Sequence, residues 1–295
     1  MMIYCLGSIN ADHFYRLPHL PAPGETLAAS AYTRGLGGKG ANQSVGAARA
    51  GARVAHLGAV GADGAWMLAR LEALGVDCQS VVTLDVASGH AMIAVDEAGE
   101  NAIVLYPGAN REIPLDMVAD ALREAGSGDA LILQNETNAQ VEAARFAQEQ
   151  GLFVAYSAAP FDAAAVEAVL PFVSLLLLNE VEASQLCAAL GVGLSDLPVP
   201  AVCVTRGKDG ASYYDLRAGT ETRAPVFPVE PVDTTGAGDT FAGYLVAGLT
   251  EGLTVADALR LASGAAALKV TRAGTADAIP ARAEVETFLS DQPSA

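Results

Sequence analysis

Basic residues are scarce in this 295-residue chain: 17 lysines and arginines stand against 34 aspartates and glutamates, for a formal net charge of −17. Nucleic acids and anionic membranes require a positive footprint, so both are excluded as main partners. A nucleotide is not excluded, because local N–H groups and a divalent cation can hold a small phosphate against an unfavourable overall field. Cysteine is rare as well. Cys5, Cys78, Cys187 and Cys203 show no CxxC and no Cys/His ligand spacing, which argues against a disulfide framework and points to a reducing, cytoplasmic setting. The four histidines, His13, His19, His56 and His90, show no metal spacing either. Aromatic residues make up 6%, with no stripe suited to stacking single-stranded nucleic acid. No apolar run reaches the roughly 18 residues of a membrane helix, and Met1–Gly7 lacks the basic and apolar parts of a secretion signal. Hydrophobic residues, by contrast, form 52% of the chain, enough for a folded protein with a large core.

Short apolar runs alternate with longer stretches of helical period. Val54–Leu57, Ala130–Leu133, Leu152–Ala155, Val173–Leu178 and Ala201–Thr205 read as buried strands, and Asp63–Leu74, Asn138–Gln150, Asp162–Val169 and Asn179–Leu190 as helices. This alternation predicts an α/β fold with a mostly parallel central sheet covered by helices on both faces, a three-layer sandwich formed as a single domain over residues 1–295. Two regions break the rhythm, at about 10–35 and 88–107. Short runs at His13–Arg16, Thr26–Thr33, His90–Val95 and Asn101–Tyr106 have no helices between them. They are expected to form a small β-sheet outside the main one, a lid whose edge a second subunit can protect in a homodimer. The last residues, Asp291–Ala295, are expected to fray.

The most informative segment is Asp233-Thr234-Thr235-Gly236-Ala237-Gly238-Asp239-Thr240-Phe241. Gly236 and Gly238 let several N–H groups converge, and the helix expected from Thr240 to about Thr250 adds the positive end of its dipole, so the turn fits a phosphate. Asp239 beside an anion hole fits a base that takes the proton of a hydroxyl attacking that phosphate; the plainer alternative is a helix cap. After the first strand, Ile3–Leu6, Asn10 and Asp12 lie two apart and share one side of an extended segment, a grip for vicinal hydroxyls or a simple Asx-turn. Gly35-Leu36-Gly37-Gly38-Lys39-Gly40-Ala41-Asn42-Gln43 opens a helix and matches GxGxxG in form. It does not follow the first core strand and lacks the acidic residue about 20 positions on, so a dinucleotide site is disfavoured, and it lacks the GK[ST] of a Walker A loop. Its glycines fit close approach to a ligand, with Lys39 and Asn42 as polar contacts. Glu136 follows a core strand as a hydroxyl acceptor or a solvated loop acid. Asn179 and Glu182 form either a capping box or a station near Mg²⁺ and phosphates, with water between. Thr205-Arg206-Gly207-Lys208-Asp209-Gly210 borders a nucleotide or is a bare turn. His13 and His90 lie in the expected lid, within reach of a substrate.

Together and in this order, GSINAD, GGKGANQ, NEVE, TRGKDG and DTTGAGDTF resemble the ribokinase (PfkB) family of carbohydrate kinases over nearly the whole chain. The resemblance implies ATP-dependent phosphorylation of a sugar hydroxyl, D-ribose above all, with other sugars or a nucleoside as alternatives and a non-catalytic sugar-binding protein as a further one. It implies Asp239 as catalytic base and Gly236, Ala237 and Gly238 as the anion hole. Asn10, Asp12, Gly38, Lys39, Gly40, Asn42 and Glu136 would bind the sugar. Asn179 and Glu182 would serve the phosphates and Mg²⁺, Thr205, Gly207, Gly210 and Gly238 the nucleotide, with Ser263 near its adenine. A monovalent cation, K⁺, would lie beside Asp233, Thr235, Lys269, Arg272, Gly274 and Ala278, held largely by backbone carbonyls, and activity would rise when K⁺ replaces Na⁺ or Tris. Four positions depart from the family pattern. Ser157 stands where Asn is usual, Ser263 where His is common, and Ala278 where Ser is frequent. Lys269 stands at a position usually small, although only its carbonyl would be needed.

Overall fold

The apolar run at the N-terminus becomes β1 (Met2–Leu6), and it sits in the middle of the large sheet. The computed structural model describes residues 1–292. Along the chain, β1 leads into β2 (Asn10–Arg16), β3 (Ala31–Gly37), α1 (Lys39–Arg49), β4 (Arg53–Gly61), α2 (Ala65–Ala73), β5 (Val76–Asp77), β6 (Val81–Leu84), β7 (Gly89–Val95) and β8 (Asn101–Tyr106). There follow α3 (Leu115–Leu122), β9 (Ala130–Gln134), α4 (Gln140–Glu149), β10 (Phe153–Ser157), α5 (Ala163–Val169), β11 (Leu175–Asn179), α6 (Glu180–Leu190) and β12 (Ala201–Thr205). The hairpin β13 (Ala211–Asp215) and β14 (Thr220–Arg223) precedes three helices, α7 (Ala237–Glu251), α8 (Val255–Val270) and α9 (Arg282–Ser290). Of the expected frayed end, residues 293–295 lie outside the described residues.

The large sheet has the order β14-β13-β12-β11-β10-β9-β1-β4-β5, with β6 also on β4. Its strands from β12 to β5 pair in parallel, and the β13–β14 hairpin closes one edge antiparallel. Side chains alternate between two cores. Ile3 and Cys5 of β1 join α1, α7 and α8 on one face, whereas Leu6 joins α3, α4, α5 and α6 on the other. That two-sided burial is why the parallel strands lack polar alternation and could be read as continuous apolar runs.

The second sheet, β3-β2-β7-β8, has four strands and leaves the main one where β1 runs on through Gly7–Ile9 into β2. Its second strand was expected at Thr26–Thr33 but lies at Ala31–Gly37. The residues before it are held in local turns instead. The Glu25 carboxylate accepts the Ala22 amide (2.9 Å) and pairs with His19 (2.9 Å), and Pro21, Pro23 and Gly24 interrupt any ladder. Pairing begins only where Arg16 faces Ala31.

Two helices are interior. α7 is buried continuously from Asp239 to Gly248, and α1 from Gly40 to Ala47. They touch backbone to backbone: a Cβ on Gly243 would lie 2.5 Å from the Gln43 carbonyl and 2.7 Å from the Ala47 nitrogen. Only glycine permits that approach.

Candidate active site

The carboxyl ends of β1, β9, β11 and β12 all lie on one rim of the parallel sheet, where open α/β folds place their ligands. Facing that rim, α7 begins after Gly236, whose φ of 74° lies in the left-handed region. The Ala237 amide turns back to the Thr234 carbonyl (3.2 Å), and the Thr240 amide and hydroxyl both bond to the Gly236 carbonyl (2.9 Å each). Among the described residues, the amides of Gly236, Gly238 and Asp239 have no protein acceptor. Of the three amides expected to line the hole, that of Ala237 is therefore spent inside the turn, and that of Asp239 takes its place. Three open donors at the positive end of a long helix are an arrangement suited to an anion.

The Asp239 side chain is 8% exposed and is gripped by α1. Asn42 donates its amide to Oδ2 (3.1 Å) and Gln43 to Oδ1 (3.0 Å). Gln43 is held in turn by Gln134 of β9, whose Nε2 donates to its Oε1 (2.8 Å). The carboxylate is thus fixed by neutral donors, which orient it without neutralising it. The remaining oxygen of Asn42 is buried and has no partner, so it offers an acceptor to a ligand hydroxyl.

Asn10 and Asp12 lie on the same face of β2, 4% and 7% exposed. The Asn10 oxygen accepts from Asn110 (2.7 Å), which also receives the Ile9 amide (2.9 Å). No described residue donates to the Asp12 carboxylate. Burial, and then the Glu136 charge, pushes its pKa up from 3.8 to about 7. Glu136, expected as a hydroxyl acceptor, uses one oxygen within the protein: it accepts the Lys39 amide (3.0 Å) and the Ser8 hydroxyl. Gly38 and Gly40 shape this joint, with the Gly38 carbonyl accepting the Asn42 amide (2.9 Å) and the Gly40 amide reaching the Ser8 hydroxyl (3.3 Å). The Lys39 ammonium has a raised pKa, chiefly from Asp239, against its burial, with further help from Glu136 and Glu182. The carboxylates that act on this one cation come from the loop after β9 and from the first turns of α6 and α7.

Asn179 and Glu182 form a full capping box on α6, with the Glu182 amide to Asn179 at 2.9 Å and the Asn179 amide to Glu182 Oε2 at 2.8 Å. The capping alternative is therefore realised, and it engages one of the two Glu182 oxygens. Thr205 ends β12, and Gly207 and Gly210 both have positive φ around the short turn that follows. Arg206 is directed away, into Ser212 and Tyr214 (2.8 and 2.9 Å). Ser263 is half-buried on α8.

Of the six residues expected around K⁺, four are joined by hydrogen bonds, Asp233 with Thr235, Lys269 and Gly274. Asp233 Oδ1 accepts the Thr235 amide and Oδ2 the Gly274 amide, each at 2.9 Å. Burial opposes ionisation of Asp233, but these amides hold its pKa below the usual carboxylate range. Its carbonyl accepts the Lys269 ammonium at 2.9 Å. Arg272 is turned outward to Glu284 (2.7 Å). Ala278 is buried and has no side-chain oxygen. Burial lowers the Lys269 pKa, while Asp233 and Asp239 raise it.

Residues 1–282 match the family described as pfkB family carbohydrate kinase. The chain belongs to the PfkB family. Among its relatives, the ribokinase of Bacillus subtilis is 37% identical over 98% of this chain and 99% of its own length. That of Haemophilus influenzae is 36% identical over 96% and 97%. The structure of Arabidopsis thaliana ribokinase complexed with ribose and ATP aligns with a TM-score of 0.86 at 27% identity, covering 99% of both chains. The fold expected from the alternating runs is accordingly that of this family. Four side chains that hold the candidate site together are not singled out by the sequence: Ser8, Gln43, Asn110 and Gln134. Gln43 carried one usable signal, its place beside Asn42 on the exit from the glycine run. Asn110 and Gln134 carried none, since they reach the site only through sheet order.

Proposed function

We propose that the protein transfers the γ-phosphoryl group of ATP to a hydroxyl of D-ribose, yielding ribose 5-phosphate and ADP. The observation that carries this reading is Asp239, a carboxylate fixed by Asn42 and Gln43 next to the unpaired amides of Gly236, Gly238 and its own backbone. The names and bound ligands of the ribokinase relatives support the choice of sugar and nucleotide.

Phosphoryl transfer asks for in-line positioning and charge stabilisation rather than covalent help. Asp12, with no protein donor, and the amide of Asn10 hold vicinal hydroxyls. Lys39 and the free Asn42 oxygen take others. Asp239 accepts the proton of the attacking hydroxyl, and the three open amides with the α7 dipole take up charge on the transferring group. The nucleotide lies along Thr205–Gly210, with Ser263 beside its base. Among the described residues no cluster of three or more acidic, His or Cys side chains can hold a metal by itself. Glu182 would help hold Mg²⁺ beside the nucleotide phosphates, through water. When bound, Mg²⁺ lowers the negative charge of those phosphates. The small sheet serves as the lid of a single domain and keeps water from competing for the phosphoryl group.

We further assign the outer strand of that lid to a homodimer. All of β8 is exposed, with Ile103, Val104, Leu105 and Tyr106 between 47% and 68% accessible, an edge that soluble proteins rarely leave open. Val104→Lys is expected to yield monomers in sedimentation velocity runs where the parent sediments as a dimer; a monomeric parent refutes this assignment. The four free thiols agree with a reducing compartment such as the cytoplasm.

ADP release measured across pentoses, hexoses and nucleosides tests the main proposal. Ribose is expected to give the highest kcat/KM. A hexose or nucleoside above ribose redirects the substrate assignment, and no turnover anywhere leaves a sugar-binding protein.

A further inference from the structure

The chain contains only three lysines, Lys39, Lys208 and Lys269. Lys208 lies on the exposed turn after β12, whereas Lys269, in the last turn of α8, is 0% exposed. An ammonium is buried only at a high cost unless its charge and donors are satisfied. Here its Nζ donates to the Asp233 carbonyl at 2.9 Å, and the charges acting on it are Asp233 and the base Asp239. The segment it supports is the turn that delivers the open amides of α7. The same turn is tied to α8 by the Val232 and Asp233 amides, both bonded to the Val270 carbonyl (2.7 and 3.0 Å), and to Gly274 through the Asp233 carboxylate.

A diffusible K⁺ fits this donor set poorly. The Asp233 carbonyl, one of those expected to hold K⁺, already receives the Lys269 ammonium, and both oxygens of the Asp233 carboxylate accept backbone amides. We propose that Lys269 is the resident cation of this turn: its tethered ammonium fills the electrostatic role that a bound monovalent metal would play, so that the protein works without K⁺. Lys269 touches no reacting atom. It acts as a positioning residue, by holding the Asp233–Gly238 backbone in the shape that opens the amides. The inference rests on the kinase reading for its activity test but not for its binding tests.

The first experiment uses the unmodified protein. Turnover, ATP affinity by calorimetry and melting temperature are compared in KCl, NaCl and choline chloride at equal ionic strength and constant Mg²⁺. The expected result is no difference among the three salts. A K⁺-specific rise of about fivefold or more in rate or affinity overturns the proposal, since the smallest typical coupling between two sites is of that order. The second experiment uses Lys269→Met. Its kcat in choline is expected to fall at least about tenfold, less than the roughly 10²–10³-fold loss of a direct oxyanion donor. Added K⁺ or NH₄⁺ is expected to restore part of that loss and to raise the melting temperature, a charge-specific rescue that a merely packed side chain would not show. A folded Lys269→Met protein with parental kcat, or with lost activity that no monovalent cation restores, overturns the proposal. If Lys269→Met fails to fold in choline, recovery of its circular dichroism spectrum in KCl supports the assignment; if it folds in neither salt, the salt series on the unmodified protein decides alone. Should no sugar turn over at all, the kinase reading fails while calorimetry and melting still report on Lys269.

Discussion

Two helices of this protein, α1 and α7, begin in the same way. Each follows a glycine with positive φ, Gly38 at 95° and Gly236 at 74°, and neither has a side-chain cap. Their first amides nevertheless meet opposite fates. At α1 the protein supplies its own acceptors: Glu136 takes the Lys39 amide, the Ser8 hydroxyl the Gly40 amide, and the Ser8 carbonyl the Ala41 amide. At α7 no such acceptor approaches Gly236, Gly238 or Asp239. The N-terminus of a helix attracts anions whatever its sequence. Whether it becomes a structural joint or a ligand site depends on whether another part of the chain has already delivered an anion. The third instance, α6, is closed by its own capping box and needs no distant partner.

The largest effect that can break this contrast lies at α7. Asp239→Asn is expected to lower kcat by roughly 10²–10⁴-fold, the usual worth of a general base, while the melting temperature stays within a few degrees; near-parental turnover would remove Asp239 from the mechanism. Next comes a matched pair of glycine substitutions. Gly236→Ala, with only the Asn42 amide within 3.4 Å of the new methyl, is expected to cost about 1–2 kcal/mol of stability for its left-handed backbone and, through displaced amides, about 10²-fold in kcat. Gly38→Ala drives a methyl to 2.7 Å from the Ser8 carbonyl and is expected to lose more stability and less kcat. Denaturant titration with steady-state kinetics on both variants checks the crossing; parallel losses would mean that the two helix starts do the same job.

The smallest effect concerns the filled end. Glu136→Gln is expected to cost about 0.5–1 kcal/mol by weakening the charge at the start of α1, and to alter a pH dependence. Asp12 has its pKa raised from 3.8 to about 7, so the native state keeps a proton that the unfolded chain gives up. Stability therefore declines as pH rises between those two values and is level above them. Sugar binding runs the other way, with KM falling as the carboxylate ionises towards neutral pH. Glu136→Gln is expected to move the midpoint of the KM profile to lower pH; an unmoved midpoint would separate Glu136 from Asp12.

Much of this was readable from the residues because it is local. The strands are short apolar runs, Asp239 sits in a nine-residue segment whose glycines announce a turn, and Asn10 and Asp12 share a strand face by their spacing alone. What stayed hidden depends on distant packing. Gln43 grips Asp239 only because glycines let α1 and α7 meet, and Asn110 finds Asn10 across about a hundred positions of chain. Glu136 reads equally well as a ligand acceptor or a loop acid, since nothing near it in the chain reveals that the Lys39 amide arrives from the start of α1. Lys269 was expected to contribute only a carbonyl, because the direction of a side chain at a helix end follows from what lies opposite. The strand placed at Thr26–Thr33 failed for a different reason: local turns around Pro21–Glu25 outcompeted an extended reading.

The contact at Gly243 places Asp239, the proposed base, under the control of residues with no part in the proposed chemistry. A loss-of-function screen should therefore return Gly243, and Gly46 facing it, beside Asp239 itself, although by chemistry they are the plainest residues in the chain. An engineer seeking to redirect this protein has freedom in the small sheet and very little along the seam between α1 and α7, where one added carbon is a change of mechanism.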